Sequence, residues 1–300
     1  MIFKTLPTFC ATILISLLLN NAVFAQSTPE EKPALTVYTY DSFVGEWWPG
    51  PKIKAAFEKQ CNCTLNFIAT DSSTGILNRI RLEGSANKAD VVLGLDATLM
   101  AEAKSTGLLA KHKVDTGALA LPVTWQDDTF IPFDYGYFAF IYNTETLKTP
   151  PTSLAELADS DFKIIIQDPR SSTTGLGLML WLQAVMGNAE SGTAQAYWQN
   201  LSDNIVTVTK GWSEAYGLFL EGEADMVLSY TTSPAYHMIA EDKHQYQAAA
   251  FSDGHGIQVE VAAKLNNAAN PELADEFLSF MISQTAQKII PTGNWMYPVV

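Results

Sequence analysis

The sequence predicts an α/β protein with two lobes that are joined by crossing strands. Between residues 35 and 105, strand-like and helix-like segments alternate, which is typical of parallel β-α-β units. The β-prone run TFIPFDYGYFAFIY at 129–142 is too long for an average strand and is interpreted as a segment that crosses between the lobes. After this run the alternation resumes and continues to about residue 283. Mixed sheets flanked by helices are therefore expected, with a ligand cleft between the lobes.

The first part of the chain contains three strands and three helices. The strands are predicted at 35–40, 64–69 and 89–94, and the helices at 51–60, 74–83 and 97–105. Pro51 suits the first turn of its helix, and Gly107 ends the third helix.

The second part of the chain repeats this organisation. Ser153-x-x-Glu156 is a capping box, and Asn270-Pro271 is the expected start of the last helix, with Asn270 as its N-cap. The strands are predicted at 163–167, 205–209, 225–230 and 256–264, and the helices at 175–186, 193–203, 213–222, 234–242 and 270–283.

Composition and charge indicate a globular protein and exclude a nucleic-acid partner. Of the 300 residues 47% are hydrophobic, and the net charge is −14. This composition is typical of a globular protein, and a chain this acidic lacks the positive patch that a nucleic-acid backbone requires. Its overall field favours cationic small molecules, but only weakly.

The N-terminus has the pattern of a secretory signal peptide. Lys4 precedes an apolar run at 11–19, and Val23-Phe24-Ala25 supplies small residues for cleavage after Ala25. The alternative is a retained membrane anchor, for which the apolar run is short. We therefore expect residues 1–25 to be removed and the mature protein to be soluble and exported.

Export places Cys61 and Cys63 in an oxidising compartment. The Cys-x-Cys spacing allows a small disulfide with tight geometry, and two free thiols are the alternative. The four histidines are scattered, and none is spaced as a metal ligand from the cysteine pair, so no metal site is expected.

No catalytic motif is present, and no carboxylate pair stands out as acid and base. Aromatic residues instead lie at strand ends and loops, where they would converge on the cleft. For any one of them core packing is the alternative, but a group of aromatic faces there would suit a planar or cationic ligand. The candidates are Tyr40, Trp47, Trp48, Trp212, Tyr230, Tyr236 and Trp295.

Two hydroxyl-rich segments connect a strand to a helix. One contains Ser172 and Thr173, and the other is Tyr230-Thr231-Thr232-Ser233. Hydroxyls and free N–H groups at a helix N-terminus form an anion site. Ordinary helix capping is the alternative, but two such termini at one cleft would suit a phosphate or a carboxylate.

Long motifs at these positions resemble a known family. They are LTVYTYDSF at 35–43, ADVVLGLD at 89–96, PFDYGYFAF at 132–140, QDPRSST at 167–173, TVTKGWSEAYGLFL at 207–220, LSYTTSPAYH at 228–237 and PTGNWMYPV at 291–299. Together they are similar to the periplasmic thiamine-binding proteins of ABC importers, which are type II periplasmic solute-binding proteins.

The resemblance implies a monomeric, exported binding protein without a cofactor, which delivers thiamine and its phosphate esters to a permease. It also implies that the ligand rings lie among aromatics matching Tyr40, Trp47, Trp212, Tyr236 and Trp295. Ser172, Thr173 and 230–233 match the groups that hold the phosphate. Ser72 and Ser73 stand where the family has an acidic residue followed by glycine, one position after Asp71.

The expected first lobe comprises residues 34–130 and about 250–285, and the second comprises about 131–249 and 286–300. Relatives continue beyond the NWMYPV motif, so either a C-terminal helix or part of the sequence is missing after Val300. Two other functions remain open: binding of another solute, such as a polyamine or ferric ion, and a thiaminase-like enzyme. The enzyme would need a cysteine nucleophile, and Cys61 and Cys63 lie away from the strand ends.

Overall fold

The described strands pair into a single mixed sheet of eleven strands. The computed structural model describes residues 1, 2, 32–187 and 193–300, and the predicted signal peptide lies outside them apart from Met1 and Ile2. The strands are β1 (Ala34–Tyr40), β2 (Thr64–Thr70), β3 (Val91–Asp96), β4 (Leu109–Ala110), β5 (Phe130–Asn143), β6 (Ile164–Gln167), β7 (Ile205–Thr209), β8 (Met226–Tyr230), β9 (Tyr246–Ala248), β10 (Ile257–Leu265) and β11 (Tyr297–Pro298).

Helices cover this sheet, and each strand and helix predicted from the sequence is present with ends within two residues of those expected, except that the helix predicted at 97–105 begins at Met100. Short 3₁₀ turns at Gly84–Ala86 and Ala97–Leu99 complete the third and precede the fourth helix. The helices are α1 (Asp41–Val44), α2 (Pro49–Cys61), α3 (Ser73–Glu83), α4 (Met100–Ser105), α5 (Leu154–Ala158), α6 (Thr173–Met186), α7 (Thr193–Ser202), α8 (Trp212–Leu220), α9 (Ser233–Ala240), α10 (Pro271–Met281), α11 (Gln284–Gln287) and α12 (Ile290–Gly293).

The main strand order is β2-β1-β3-β10-β5-β8-β6-β7. Strands β1, β2 and β3 are parallel, as are β6, β7 and β8, whereas β10 is antiparallel to β3 and β5. The predicted crossing segment is the single strand β5. Its residues 130–137 pair with β10, and its residues 138–142 pair with β8, so β5 divides the sheet into a first and a second half.

Pro132 is tolerated near the start of β5 because the pairing with β10 is irregular next to it. Val261 pairs with Pro132 and Glu260 with Asp134, so Phe133 has no partner on β10. The buried Gln287 side chain donates a hydrogen bond to the Phe133 carbonyl at 2.8 Å and accepts one from the Val299 N–H at 2.7 Å. The C-terminal segment is thereby held against the bulge.

Hydrophobic cores lie on both halves of the sheet. In the first half, Phe57 packs against Phe277 and Phe280. In the second half, successive residues of β5 point to opposite faces, with Phe140 in one core and Ile141 in another. Residues from the C-terminal segment also pack in the core of the first half: Ala286, Ile290, Met296 and Val299.

The structure confirms one predicted helix cap, contradicts another, and shows the state of the two cysteines. Ser153 caps α5 by accepting from the Glu156 N–H, as predicted. Asn270 precedes α10 but makes no capping bond, because its side-chain amide donates to the Ala34 carbonyl instead. Cys61 and Cys63 form a disulfide with a Cα–Cα distance of 5.1 Å, which decides between the two alternatives.

Among the described residues, no helix combines the length and the apolar character needed to cross a bilayer.

Replacing Gln287 by Ala is expected to lower the free energy of unfolding by at least about 3 kcal/mol. The change leaves the buried Phe133 and Met281 carbonyls and the Val299 N–H without this partner, and each unsatisfied buried group costs about 1–3 kcal/mol. Urea unfolding measures the loss. Gln284→Ala, at an exposed position three residues earlier, is the matched control, and an equal loss in both variants would contradict this role.

Candidate ligand-binding cleft

A cavity of about 470 Å³ opens at the carboxyl ends of strands from both halves of the sheet. Tyr40 ends β1 and Ser72 follows β2, while Ser172, Gly211 and Ser233 follow β6, β7 and β8. This volume lies in the range of small-molecule sites, and this edge of an α/β sheet is where ligands bind.

The structure brings most of the predicted site residues to this cavity. Thr231 and Thr232 do not line it; their hydroxyl oxygens are buried without a hydrogen-bond partner. The predicted residues that line the cavity are Tyr40, Trp47, Trp48, Ser72, Ser73, Ser172, Thr173, Trp212, Tyr230, Ser233, Tyr236 and Trp295.

Trp212 is fixed at the start of α8 by contacts on three sides. Its ring stacks on Tyr216 at 5.0 Å, and the Trp48 ring meets it edge-on at 6.1 Å. The indole Nε1–H donates to Ser229 Oγ at 2.7 Å. Trp48 lies in the first part of the chain, so this aromatic contact spans the cavity, whereas the neighbouring Trp47 is 82% exposed.

Trp295 packs edge-on against Tyr236 beside the cavity, with ring centroids 5.4 Å apart. Its backbone has φ of +55°, a left-handed conformation that a bulky residue rarely adopts and that costs about 1–2 kcal/mol. The conformation follows the short helix α12 and turns the ring toward the cavity. Strain of this kind is common at binding sites.

The N-terminus of α6 supplies hydroxyl groups to the cavity. Ser172 makes no capping bond to its own helix, and its buried Oγ lies 2.9 Å from Thr174 Oγ1. Gly175 lets the helix begin close to the end of β6, because a Cβ there would lie 2.3 Å from the Gln167 carbonyl. The free N–H groups and the dipole of this fourteen-residue helix favour an anion here.

Ser72 and Ser73 are largely occupied by structural bonds. Ser72 caps α3 by accepting from the Gly75 N–H, and Ser73 donates to the Gly94 carbonyl. The nearby Asp71 forms an ion pair with Lys210, which follows β7 in the second half of the sheet. The acidic group of this loop is therefore directed toward the other side of the cleft.

Three acidic residues lie side by side across adjacent strands at the bottom of the cavity. Glu260 of β10 pairs directly with Asp96 of β3 on one side and with Asp134 of β5 on the other. Burial raises the pKa of Asp96 to about 6 and, with the charge of Asp96 adding to it, raises the pKa of Glu260 to about 7. Burial and the charge of Glu260 raise the pKa of Asp134 well above its usual range.

Tyr40 connects this row of acids to the aromatic wall. Its hydroxyl donates to Glu260 Oε2 at 2.7 Å, and Asn294 Nδ2 donates to Asp134 Oδ2 at 2.6 Å. The Tyr40 ring lies against Gly94, whose φ is +93°; a Cβ there would lie 2.3 Å from the ring. Glycine at this position therefore allows Tyr40 to reach Glu260.

The sequence analysis did not identify Gln258, Glu260 or Asn294, all of which line the cavity. A signal for the first two exists in β10, IQVEVAAKL, where two polar residues two positions apart share one face of a buried strand. Asn294 lies within the motif PTGNWMYPV, of which only Trp295 was predicted as a site residue. Among the described residues, no group of three or more His, Cys, Asp or Glu side chains is arranged so that it could hold a metal ion.

Comparisons with known proteins agree with this geometry. Residues 44–288 match the model of a family described as bacterial extracellular solute-binding protein. The chain is 58% identical over 270 residues to the thiamine-binding periplasmic protein of Escherichia coli (strain K12), covering 89% of this chain and 81% of that protein. Identity to the thiamine-binding periplasmic protein of Brucella melitensis biotype 1 is 51% over 271 residues, covering 90% and 80%.

A solved structure titled periplasmic thiamin binding protein superposes with a TM-score of 0.87. It is 57% identical, and the match covers 90% of this chain and 84% of that chain. The two-lobed type II fold, with a mixed sheet and flanking helices, is thus confirmed. The chain belongs to the bacterial extracellular solute-binding protein family.

Proposed function

We propose that this protein captures thiamine and its phosphate esters in the cleft and delivers them to the permease of an ABC importer. The observation that carries the proposal is the joint lining of one cavity by fixed aromatic rings and by the N-terminus of α6. Thiamine has two aromatic rings, one of them cationic, and its esters add an anionic tail. The names of the most similar relatives support the same ligand.

The aromatic residues would hold the ring part of the ligand. Trp212 and Trp295 belong to different sides of the cavity and are both fixed by neighbouring aromatic rings. A cation over such a face gains roughly 0.5–2 kcal/mol. The proposed ring-binding residues are Tyr40, Trp47, Trp212, Tyr230, Tyr236 and Trp295, with Ser72 and Ser73 at the edge of the site.

The hydroxyl groups would hold the phosphate. Ser172 and Thr173 lie at the start of α6, and Ser233 lies at the start of α9, so two helix N-termini reach the same cavity. Phosphate oxygens accept hydrogen bonds from such hydroxyls and from free backbone N–H groups. Thr231 and Thr232 are left out of this proposal because they do not line the cavity.

The binding cycle would follow from two lobes that close on the ligand. We assign residues 34–130 and about 250–285 to the first lobe and about 131–249 to the second. For residues 286–300 the sequence predicts the second lobe, but we propose the first, and the packing of Ala286 and Ile290 in the core of the first half of the sheet supports this. The Asp71–Lys210 ion pair and the Trp48–Trp212 contact would form on closure.

We also propose a cellular location, an oligomeric state and a transport partner for this protein. The signal-peptide pattern supports export to the periplasm, where a monomer would meet the permease in the inner membrane. The proposed role is transport without chemistry, so no cofactor is assigned. The most similar relatives carry names of binding proteins, which supports the same conclusion.

A polyamine is the second candidate ligand because of one observation. Glu260 lines the cavity beside the buried Asp96 and Asp134, and several acidic groups at one site would suit a polyamine. A flexible aliphatic cation would, however, leave the aromatic faces and the α6 terminus unused. Ferric ion has less support, since the described residues contain no group of metal ligands.

A titration of the mature protein, unfolded and refolded to remove bound ligand, tests the proposed function. We expect thiamine and thiamine diphosphate to change the tryptophan fluorescence saturably at sub-micromolar concentration, with both compounds recovered intact. Spermidine is expected to have no effect at these concentrations. A response to spermidine alone would favour the polyamine, and cleaved thiamine would indicate an enzyme.

Trp212→Ala and Trp295→Ala are each expected to weaken thiamine binding by more than tenfold, because each removes a fixed aromatic face from the cavity. Isothermal titration calorimetry measures the change. Trp198→Ala, which removes a ring packed on the second core away from the cavity, is the control and should bind thiamine as the unmodified protein does. Unchanged affinity in both cavity variants would refute the aromatic assignment.

Ser172→Ala should weaken binding of thiamine diphosphate by about tenfold more than binding of thiamine, because a hydrogen bond to a charged group contributes about 1.5–3 kcal/mol. Calorimetry with both ligands gives this ratio. The matched control is Ser171→Ala, whose hydroxyl donates to the Lys210 carbonyl and does not line the cavity. Equal losses for the two ligands in Ser172→Ala would argue against a phosphate role.

A further inference from the structure

Glu260 is a buried carboxylate that faces the cavity without a cationic partner. It is 7% exposed and lines the cavity, and none of the lining residues is Lys, Arg or His. The ion pairs found among the described residues do not include Glu260, Asp96 or Asp134. A buried charge of this kind is costly unless an opposite charge comes near it.

The Glu260 side chain is held in place by neutral donors. Tyr40 Oη donates to Oε2 at 2.7 Å, and Gln258 Nε2 donates to Oε1 at 3.1 Å. Asp134 Oδ1 beside it is buried and has no hydrogen-bond partner. These neighbours orient the carboxylate but bring no positive charge.

The cavity itself suits a cation in the place that Glu260 faces. Tyr40 and Tyr230 line it next to Glu260, and Tyr230 Oη donates to Gln258 Oε1 at 2.6 Å. The hydroxyl-bearing N-terminus of α6, which favours anions, also lines the cavity and follows β6 in the second half of the sheet, whereas Glu260 lies on β10 in the first half. Opposite charges of one ligand therefore have separate positions to occupy.

We propose that Glu260 is the residue that selects a cationic ligand in this cleft, by placing its carboxylate against the positively charged ring of the solute. Tyr40 and Gln258 are positioning residues that hold this carboxylate. The inference rests on the proposed function, since thiamine supplies the positive charge through its thiazolium ring. It predicts a preference for a cationic solute over a neutral solute of the same shape.

The variant Glu260→Gln tests the inference with two probes. One is thiamine, and the other is the analogue in which an uncharged thiophene replaces the thiazolium. We expect the unmodified protein to bind thiamine at least tenfold more tightly than the analogue. In Glu260→Gln, thiamine affinity should fall by more than tenfold while the analogue binds as before. Glu223→Gln, an exposed position outside the cavity, makes the same change of net charge and should match the unmodified protein.

Three results would overturn the inference or the function beneath it. Equal weakening of both probes would mean that Glu260 contacts another part of the ligand. If Glu260→Gln kept the full preference for thiamine over the analogue, the Glu260 carboxylate would not be the group that recognises the positive charge of the ligand. Failure of the unmodified protein to bind either probe would instead contradict the proposed function, and with it this inference.

Proton release in the unmodified protein gives a second test that does not depend on the variant. The groups facing Glu260 are Asp96 on β3, Asp134 on β5, Tyr40 on β1 and Tyr230 on β8, and all are acidic. Burial raises the pKa of Glu260 to about 7, and a bound cation lowers it again. Calorimetry near pH 7 in buffers of different ionisation enthalpy should show protons released with thiamine but not with the thiophene analogue. Equal proton counts would overturn the inference.

Discussion

Strand β5 carries the constraint on which the cleft depends. Its first residues pair with β10 and its last with β8, so one uninterrupted strand belongs to both halves of the sheet. The bulge at Phe133 lies just before Asp134, where the C-terminal segment is bonded to the strand through Gln287. Because β11 also pairs with Tyr135 and Asp134, the pairing of β5 fixes where Asn294 and Trp295 enter the cavity.

The strand arrangement also determines where the helices of the second half begin. Strands β6, β7 and β8 run parallel, so the helices that follow them all begin at the same edge of the sheet. That edge faces the carboxyl ends of β1 and β2 in the first half. Aromatic rings and free N–H groups from distant parts of the sequence thereby meet in one cavity, although few of them are neighbours in the chain.

Much of this arrangement was predictable from local patterns. Alternating apolar residues and turn signals placed the strands and helices, and aromatic or hydroxyl residues at strand ends indicated Trp212, Trp295 and Ser172. Pairing was harder to predict, because antiparallel β10 comes from a late part of the chain and inserts between β3 and β5. The meeting of Glu260 with Asp96 and Asp134 depends on that register, and no local pattern contains it.

The cavity has an anion-favouring helix N-terminus and an acidic side chain, Glu260, and the fold produces these two features in different ways. The anion-favouring end follows from helix geometry alone, since any helix beginning at that edge directs free N–H groups into the cavity. The acidic end depends on side chains that burial makes expensive, and such groups persist where a ligand compensates for them. Glu260 belongs to the second kind: its bonds to Tyr40 and Gln258 orient it without neutralising it. The cleft is therefore asymmetric in charge along its length, which is the property that a solute with a cationic ring and an anionic tail would match at both ends.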